Sequence, residues 1–225
     1  MRKVNFLVRS LGLFVLSFIS LNAFSQEEKK NPFSAGADFY STYIFRGTKY
    51  GTGPHVQPII KFAAGPFNAG AWGSFDFNGY QEADIYFSFN LPAGFTLGMT
   101  DYYYPNLDYF DFSNYSGSHA YEINAGFTKA GLNLAANYVL NEAGGIGSMG
   151  GDTYFQATYY FKYFSLFLGA GNGWHTSDTK FDICNTGIGT SVKIKITESF
   201  SIPVTGQVIF NPEREKMFLV VGFSL

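Results

Sequence analysis

Strict two-residue alternation runs through most of this sequence and restricts the chain to strands. In the stretch 33–46, Phe33, Ala35, Ala37, Phe39, Ser41, Tyr43 and Phe45 interleave with Ser34, Gly36, Asp38, Tyr40, Thr42, Ile44 and Arg46. Successive strand side chains point to opposite faces, so one face is largely apolar and the other largely polar. In 67–78, Phe67, Ala69, Ala71, Gly73, Phe75 and Phe77 oppose Asn68, Gly70, Trp72, Ser74 and Asp76. In 82–91, Ala83, Ile85, Phe87, Phe89 and Leu91 oppose Glu82, Asp84, Tyr86, Ser88 and Asn90. A helix would need repeats of three and four, which these runs lack.

Twelve such segments appear, at about 33–46, 55–64, 67–78, 82–91, 95–104, 118–127, 131–141, 152–161, 164–173, 182–195, 200–210 and 215–225. Each is near the ~9–11 residues that a tilted strand needs to cross a bilayer. The connections at 65–66, 92–94, 128–130, 162–163 and 196–199 are tight, whereas 47–54, 105–117, 142–151 and 174–181 are longer and rich in Gly, Asn, Asp and Tyr. Connections 79–81 and 211–214 are short members of the long set. An even strand count with short turns alternating with long loops predicts an all-β fold. It is a transmembrane antiparallel up-and-down β-barrel of about twelve strands, over residues 33–225.

A soluble β-sandwich would alternate too, but its solvent face would carry many charges. Here only 14% of residues are charged, against about 25% in soluble domains. Upstream, Arg2, Lys3 and Arg9 precede an apolar run at 11–24 that ends in Ala23-Phe24-Ser25. That pattern predicts a signal peptide over 1–25 with cleavage before Gln26. Residues 26–32, with Glu27-Glu28-Lys29-Lys30, read as a periplasmic lead-in, and the destination is the outer membrane of a Gram-negative cell. After residue 25 no run approaches the ~18 apolar residues of a transmembrane helix. Loss of three basic residues makes the exported chain more acidic than the −2 of the whole sequence, which argues against a nucleic-acid surface. Cys184 is alone, so there is no internal disulfide.

Several stretches resemble the family of TorF-type putative porins. They are Ser41-Thr42-Tyr43-Ile44-Phe45-Arg46-Gly47, Gly70-Ala71-Trp72-Gly73-Ser74, Glu82-Ala83-Asp84-Ile85-Tyr86, Asp101-Tyr102-Tyr103-Tyr104-Pro105 and Tyr121-Glu122, in the family's order. The chain departs at Phe75, where the family often has Asn, and at Thr48-Lys49, where a Ser is usual. The resemblance implies a porin-like barrel and supplies no ligand.

If Phe33, Phe67 and their partners face lipid, the other face lines the lumen. The pore-lining candidates are Asp38, Arg46, Lys61, Trp72, Asp76, Glu82, Asp84, Tyr86, Tyr102, Tyr104, Glu122, Asp152, Gln156 and Lys193. Charges pointing into lipid are costly, so their confinement to one face supports that assignment. Asp101 breaks the rule, sharing parity with Leu97 and Met99, and is expected near the outer rim. Asp76, Glu82, Asp84 and Asp152 make an acidic mouth, with Glu122 deeper, which would favour cations. Glu82 and Asp84 could also begin a Ca²⁺ or Mg²⁺ site.

Gly145-Ile146-Gly147-Ser148-Met149-Gly150 matches the dinucleotide-binding fingerprint. A phosphate cradle needs a helix after the glycines; an alternating segment follows instead, so this reads as an outer loop. His175-Thr176-Ser177 offers a His and a Ser but no orienting third group, so no enzyme is expected. No cofactor is expected either. The expected function is a porin-like channel for passive diffusion of small hydrophilic solutes, with weak cation preference and with outer-membrane lipid and the solutes or ions as its partners. The alternative is a closed structural or ligand- or partner-binding barrel acting through its outer loops. A twelve-stranded barrel lies between filled and open sizes, so both interiors fit.

Overall fold

The computed structural model describes residues 31–225. The signal peptide expected over 1–25 and nearly all of the lead-in lie outside the described residues. The strands in chain order are β1 (Phe33–Tyr40), β2 (Tyr43–Phe45), β3 (Thr48–Tyr50), β4 (His55–Ala64), β5 (Phe67–Asp76), β6 (Gln81–Asn90), β7 (Phe95–Tyr103) and β8 (His119–Lys129). They continue with β9 (Leu132–Val139), β10 (Glu142–Ala143), β11 (Ser148–Met149), β12 (Thr153–Tyr160), β13 (Ser165–Gly171), β14 (Asp182–Lys195), β15 (Ser201–Asn211) and β16 (Lys216–Ser224).

Twelve of these close a single antiparallel barrel in the order β1-β16-β15-β14-β13-β12-β9-β8-β7-β6-β5-β4. Closure comes from β1 against β16, with Asp38 opposite Ser224 and Tyr40 opposite Gly222. Every other neighbour in the ring is joined by a hairpin, so chain order sets the topology. The remaining strands form two small hairpins, β2–β3 and β10–β11. The glycine cluster at 144–151 lies in and just after the β10–β11 hairpin, and strand β12 follows it.

The barrel is transmembrane because its outer surface is apolar all the way round. Ile60, Ile85, Leu97, Leu134, Leu168, Val192 and Leu219, on seven different strands, are all exposed. A surface of this kind is stable only against lipid. At the short-turn end phenyl rings pair across the strands: Phe33–Phe62 at 5.0 Å, Phe67–Phe89 at 5.2 Å and Phe95–Phe127 at 4.8 Å between centroids. Such a girdle is expected where the apolar band meets water.

One segment departs from its expected course. The alternation of 33–46 suggests one strand, with Tyr43 and Phe45 on the lipid face. The strand ends at Tyr40, and Tyr43 and Phe45 are buried inside the barrel. The alternation continues past Tyr40 because β2 is itself a strand, turned inward.

Candidate functional site: a hairpin seated in the lumen

The hairpin β2–β3 is the feature that decides what the lumen can do. Its two-residue turn, Arg46-Gly47, is left-handed at both positions, with φ of 51° and 82°. That geometry matches the natural twist of paired strands and makes the tightest hairpin turn. Only glycine can sit at the second position, since a Cβ on Gly47 would lie 1.8 Å from the Cys184 carbonyl oxygen. The Gly47 carbonyl accepts a hydrogen bond from Asn211 Nδ2 at 3.1 Å. The hairpin is rooted between β1 and β4, yet its tip meets β8, β12, β14 and β15. It therefore crosses the lumen.

The tip is fixed by one buried ion pair. Arg46 Nη1 donates to Glu122 Oε2 at 2.6 Å, and Nη2 donates to Glu122 Oε1 at 2.7 Å. This fork is the strongest arrangement that the two side chains can make. Glu122 Oε1 also accepts from Tyr102 OH at 3.0 Å and Asn124 Nδ2 at 2.6 Å. The guanidinium lies over the rings of Phe45 and Tyr154, at 4.7 and 4.6 Å. Burial pushes the Arg46 guanidinium down, but the Glu122 carboxylate outweighs it and holds the group above its ordinary value.

His175 completes the seat. Its Nε2 stands 3.1 Å from Arg46 Nη1 and 2.7 Å from Trp174 Nε1. Both neighbours are donors, so Nε2 accepts and the ring is neutral. Burial, and then the Arg46 charge, hold this imidazole well below its usual range. Tyr154, which shields the tip, stands over Gly169, where a Cβ would come within 2.1 Å of its hydroxyl.

Behind the tip an aromatic layer spans the barrel. Tyr43 packs on Trp72 at 5.6 Å, His55 at 5.5 Å and Tyr80 at 6.1 Å. Phe45 meets Tyr102 at 5.8 Å, and Tyr102 meets Trp174 at 5.5 Å. The acids at this level are covered: Glu122 is 0% exposed and Asp84 1%. Glu82 accepts from Tyr80 OH at 2.6 Å. Trp72 Nε1, Asp84 Oδ2 and Arg46 Nε have no hydrogen-bond partner.

The sequence-derived lumen residues fall into three sets. The hairpin gathers Arg46, Trp72, Glu82, Asp84, Tyr86, Tyr102 and Glu122, all buried. Asp76, Tyr104 and Asp152 lie around the long-loop end, where Asp152 accepts from Ser148 Oγ at 2.6 Å; Gln156, which accepts from Tyr154 OH at 2.6 Å, is midway along β12, and Asp38 stands opposite Gln57 and Ser224. Lys61 and Lys193 lie towards the short turns and outside that cluster. There the inward residues Ser34, Gly36, Asn68, Ser88, Thr96 and Thr128 are small, polar and half-buried or exposed. Among the described residues no group of three or more His, Cys, Asp or Glu is placed to hold a metal ion, so Glu82 and Asp84 lack a third ligand of that kind. Ser177 donates to Glu213 through its hydroxyl and its amide, while His175 is committed to the lumen. Sequence reasoning missed Tyr43, Phe45, Gly47, Tyr154, Trp174 and His175. The available signal was Arg-Gly flanked by the strand-like triplets Tyr43-Ile44-Phe45 and Thr48-Lys49-Tyr50.

No protein-family model and no curated protein sequence matches this chain. Chains of solved structures do match. One is a triple mutant of the porin of Rh. blastica, with a TM-score of 0.41 and 12% identity over 76% of this chain and 55% of that chain. This chain thus spans about half the length of the porin it resembles.

Proposed function

We propose that this chain is an outer-membrane channel that rests closed. The β2–β3 hairpin is its gate, and small hydrophilic solutes diffuse through when the hairpin withdraws. The observation that carries this reading is the hairpin itself, which crosses the lumen and is held there at its tip by polar contacts centred on a single ion pair. The seat is also imperfect. Each buried polar group without a partner costs about 1–3 kcal/mol, and the hairpin and the residues packed on it hold several, Arg46 Nε, Trp72 Nε1 and Asp84 Oδ2 among them. Below the hairpin the wall is polar, with the small residues Ser34, Gly36, Asn68, Ser88, Thr96 and Thr128 as well as Lys61 and Lys193, which suits a solute path. The ordered likeness of Ser41–Gly47, Gly70–Ser74 and Glu82–Tyr86 to TorF-type putative porins agrees with this reading.

Withdrawal also sets the charge of the path. Arg46 and Lys49 ride on the hairpin and leave with it, whereas Glu82, Asp84 and Glu122 stay on the wall. The opened lumen would then favour cations.

The test is single-channel recording in planar bilayers. Refolded protein is compared with a variant whose residues 43–50 are replaced by a short Gly-Ser link. The intact chain should be shut most of the time and the variant should conduct steadily. A folded variant that never conducts overturns the channel reading. It would favour instead a closed barrel acting through its outer loops, a reading supported by the complete burial of Glu122 and Asp84.

A further inference from the structure

Asp101 and His119 stand on the outward face of β7 and β8. Asp101 pairs in register with Tyr121 and Tyr103 with His119, while the intervening Tyr102 and Ala120 point inward. An acid on this face is costly in lipid. Here it is covered. His119 Nδ1 lies 3.0 Å from both carboxylate oxygens of Asp101, and its Nε2 lies 2.6 Å from the Tyr109 carbonyl oxygen. The His119 ring is stacked on Phe112 at 4.7 Å and Tyr103 at 5.4 Å, with Tyr109 edge-on at 4.9 Å. His119 is buried as a result. Residues that cover an outward-facing ring must themselves lie outside the wall. Tyr109–Phe112 therefore fold down over the lipid-facing surface, while Tyr104 stays packed on Tyr80 and the Gly117 carbonyl accepts from Gly145 N at 3.2 Å.

The outer side of this flap is aromatic. Phe110 is 84% exposed, Tyr115 80% and Phe112 60%. The flap has a built shape, since Asp111 accepts from Ser113 N and Ser116 Oγ, both at 3.0 Å, and Ser118 N donates to the Asp111 carbonyl at 2.9 Å. Immediately below it on the same face are Ile85, Met99 and Ile123 of the lipid-facing belt.

We propose that the segment 109–115 is a membrane-interface anchor, with Phe110, Phe112 and Tyr115 seated among the lipid headgroups while Tyr109 and Phe112 roof the Asp101–His119 pair. Continuity with the lipid-facing belt identifies the occupant. Aromatic side chains favour the boundary between hydrocarbon and water, and the polar Asp108, Asp111, Ser113 and Ser116 interleaved here suit that depth. The inference does not depend on whether the lumen conducts.

The test uses cysteines in the intact barrel, whose own Cys184 is buried. Phe110→Cys and Tyr115→Cys change exposed side chains, and Lys180→Cys places a control on the exposed stretch 177–181. Each is labelled with a polarity-sensitive fluorophore in phosphatidylcholine vesicles containing headgroup-nitroxide lipid. Quenching by that lipid should be at least about threefold greater at 110 and 115 than at 180, with aqueous iodide showing the reverse order. Equal iodide access at all three sites would place the flap in water and overturn the proposal. So would efficient disulfide formation between copies through position 115, which would mark a protein interface.

Discussion

Arg46 combines a backbone that arginine adopts reluctantly with a side chain that nothing else in the lumen could replace. A left-handed φ of 51° is disfavoured for a residue with a Cβ. The bidentate bond to Glu122 offsets this, because both charges are out of water and each satisfies the other. Removing one member of a buried pair strands the other at a cost of about 3–5 kcal/mol. In Arg46→Ala that cost falls on the seated state alone, since a withdrawn hairpin leaves Glu122 to water. The variant should therefore conduct for most of a bilayer recording, and Glu122→Gln, which keeps acceptors for Arg46, should do so less often. Gly47→Ala should also open the barrel, because its Cβ cannot fit against Cys184. If Arg46→Ala is as silent as the parent protein, Arg46 is not the latch.

At the scale of elements, the twelve barrel strands were legible and the hairpin was not. The expected segments 55–64 and 182–195 coincide with β4 and β14, and the other barrel strands after β1 differ by one or two residues at one or both ends. Alternation is written by burial on one face and lipid on the other, so it survives wherever the wall does. In β2 the same alternation has another cause, packing inside the lumen, and parity cannot distinguish the two. The turn was hidden as well, because Arg-Gly lacks the Asn-Gly or Asp-Gly signature. The short helical turn Gly173–His175 brings in a second partner that no local pattern announced.

His175 makes this seat sensitive to acid. Facing it are Arg46 from the hairpin, Tyr154 from β12, the neighbouring Trp174 and, through Arg46, Glu122 from β8. Asp152 lies beside Gly173 of the same turn. Its value is depressed in the seated state, so its contribution is present in full above the ordinary imidazole value of about 6.5 and is lost as pH falls through that range. A second cation against Arg46 would then expel the hairpin. Open probability should rise between pH 7.5 and pH 5, and His175→Gln should flatten that rise. A parent protein whose open probability is the same at both values would contradict this role.

For the whole molecule, closure and selectivity follow from where the charges are carried. The wall of the barrel holds the acids, and the movable hairpin holds Arg46, the base paired with Glu122. The same chain thus carries the Arg46 charge at its constriction when shut and only the acids there when open. A fixed-wall pore would show one selectivity in every state. Here a barrel opened by replacing residues 43–50 should give a reversal potential on the cation side under a salt gradient. Neutralising Glu122, Glu82 and Asp84 together in that background should bring it close to zero, with conductance kept, because the small inward residues that set the width are untouched. If the opened barrel already prefers anions, Lys61 and Lys193 nearer the short turns govern entry, and the acids buried around the hairpin serve only to hold it.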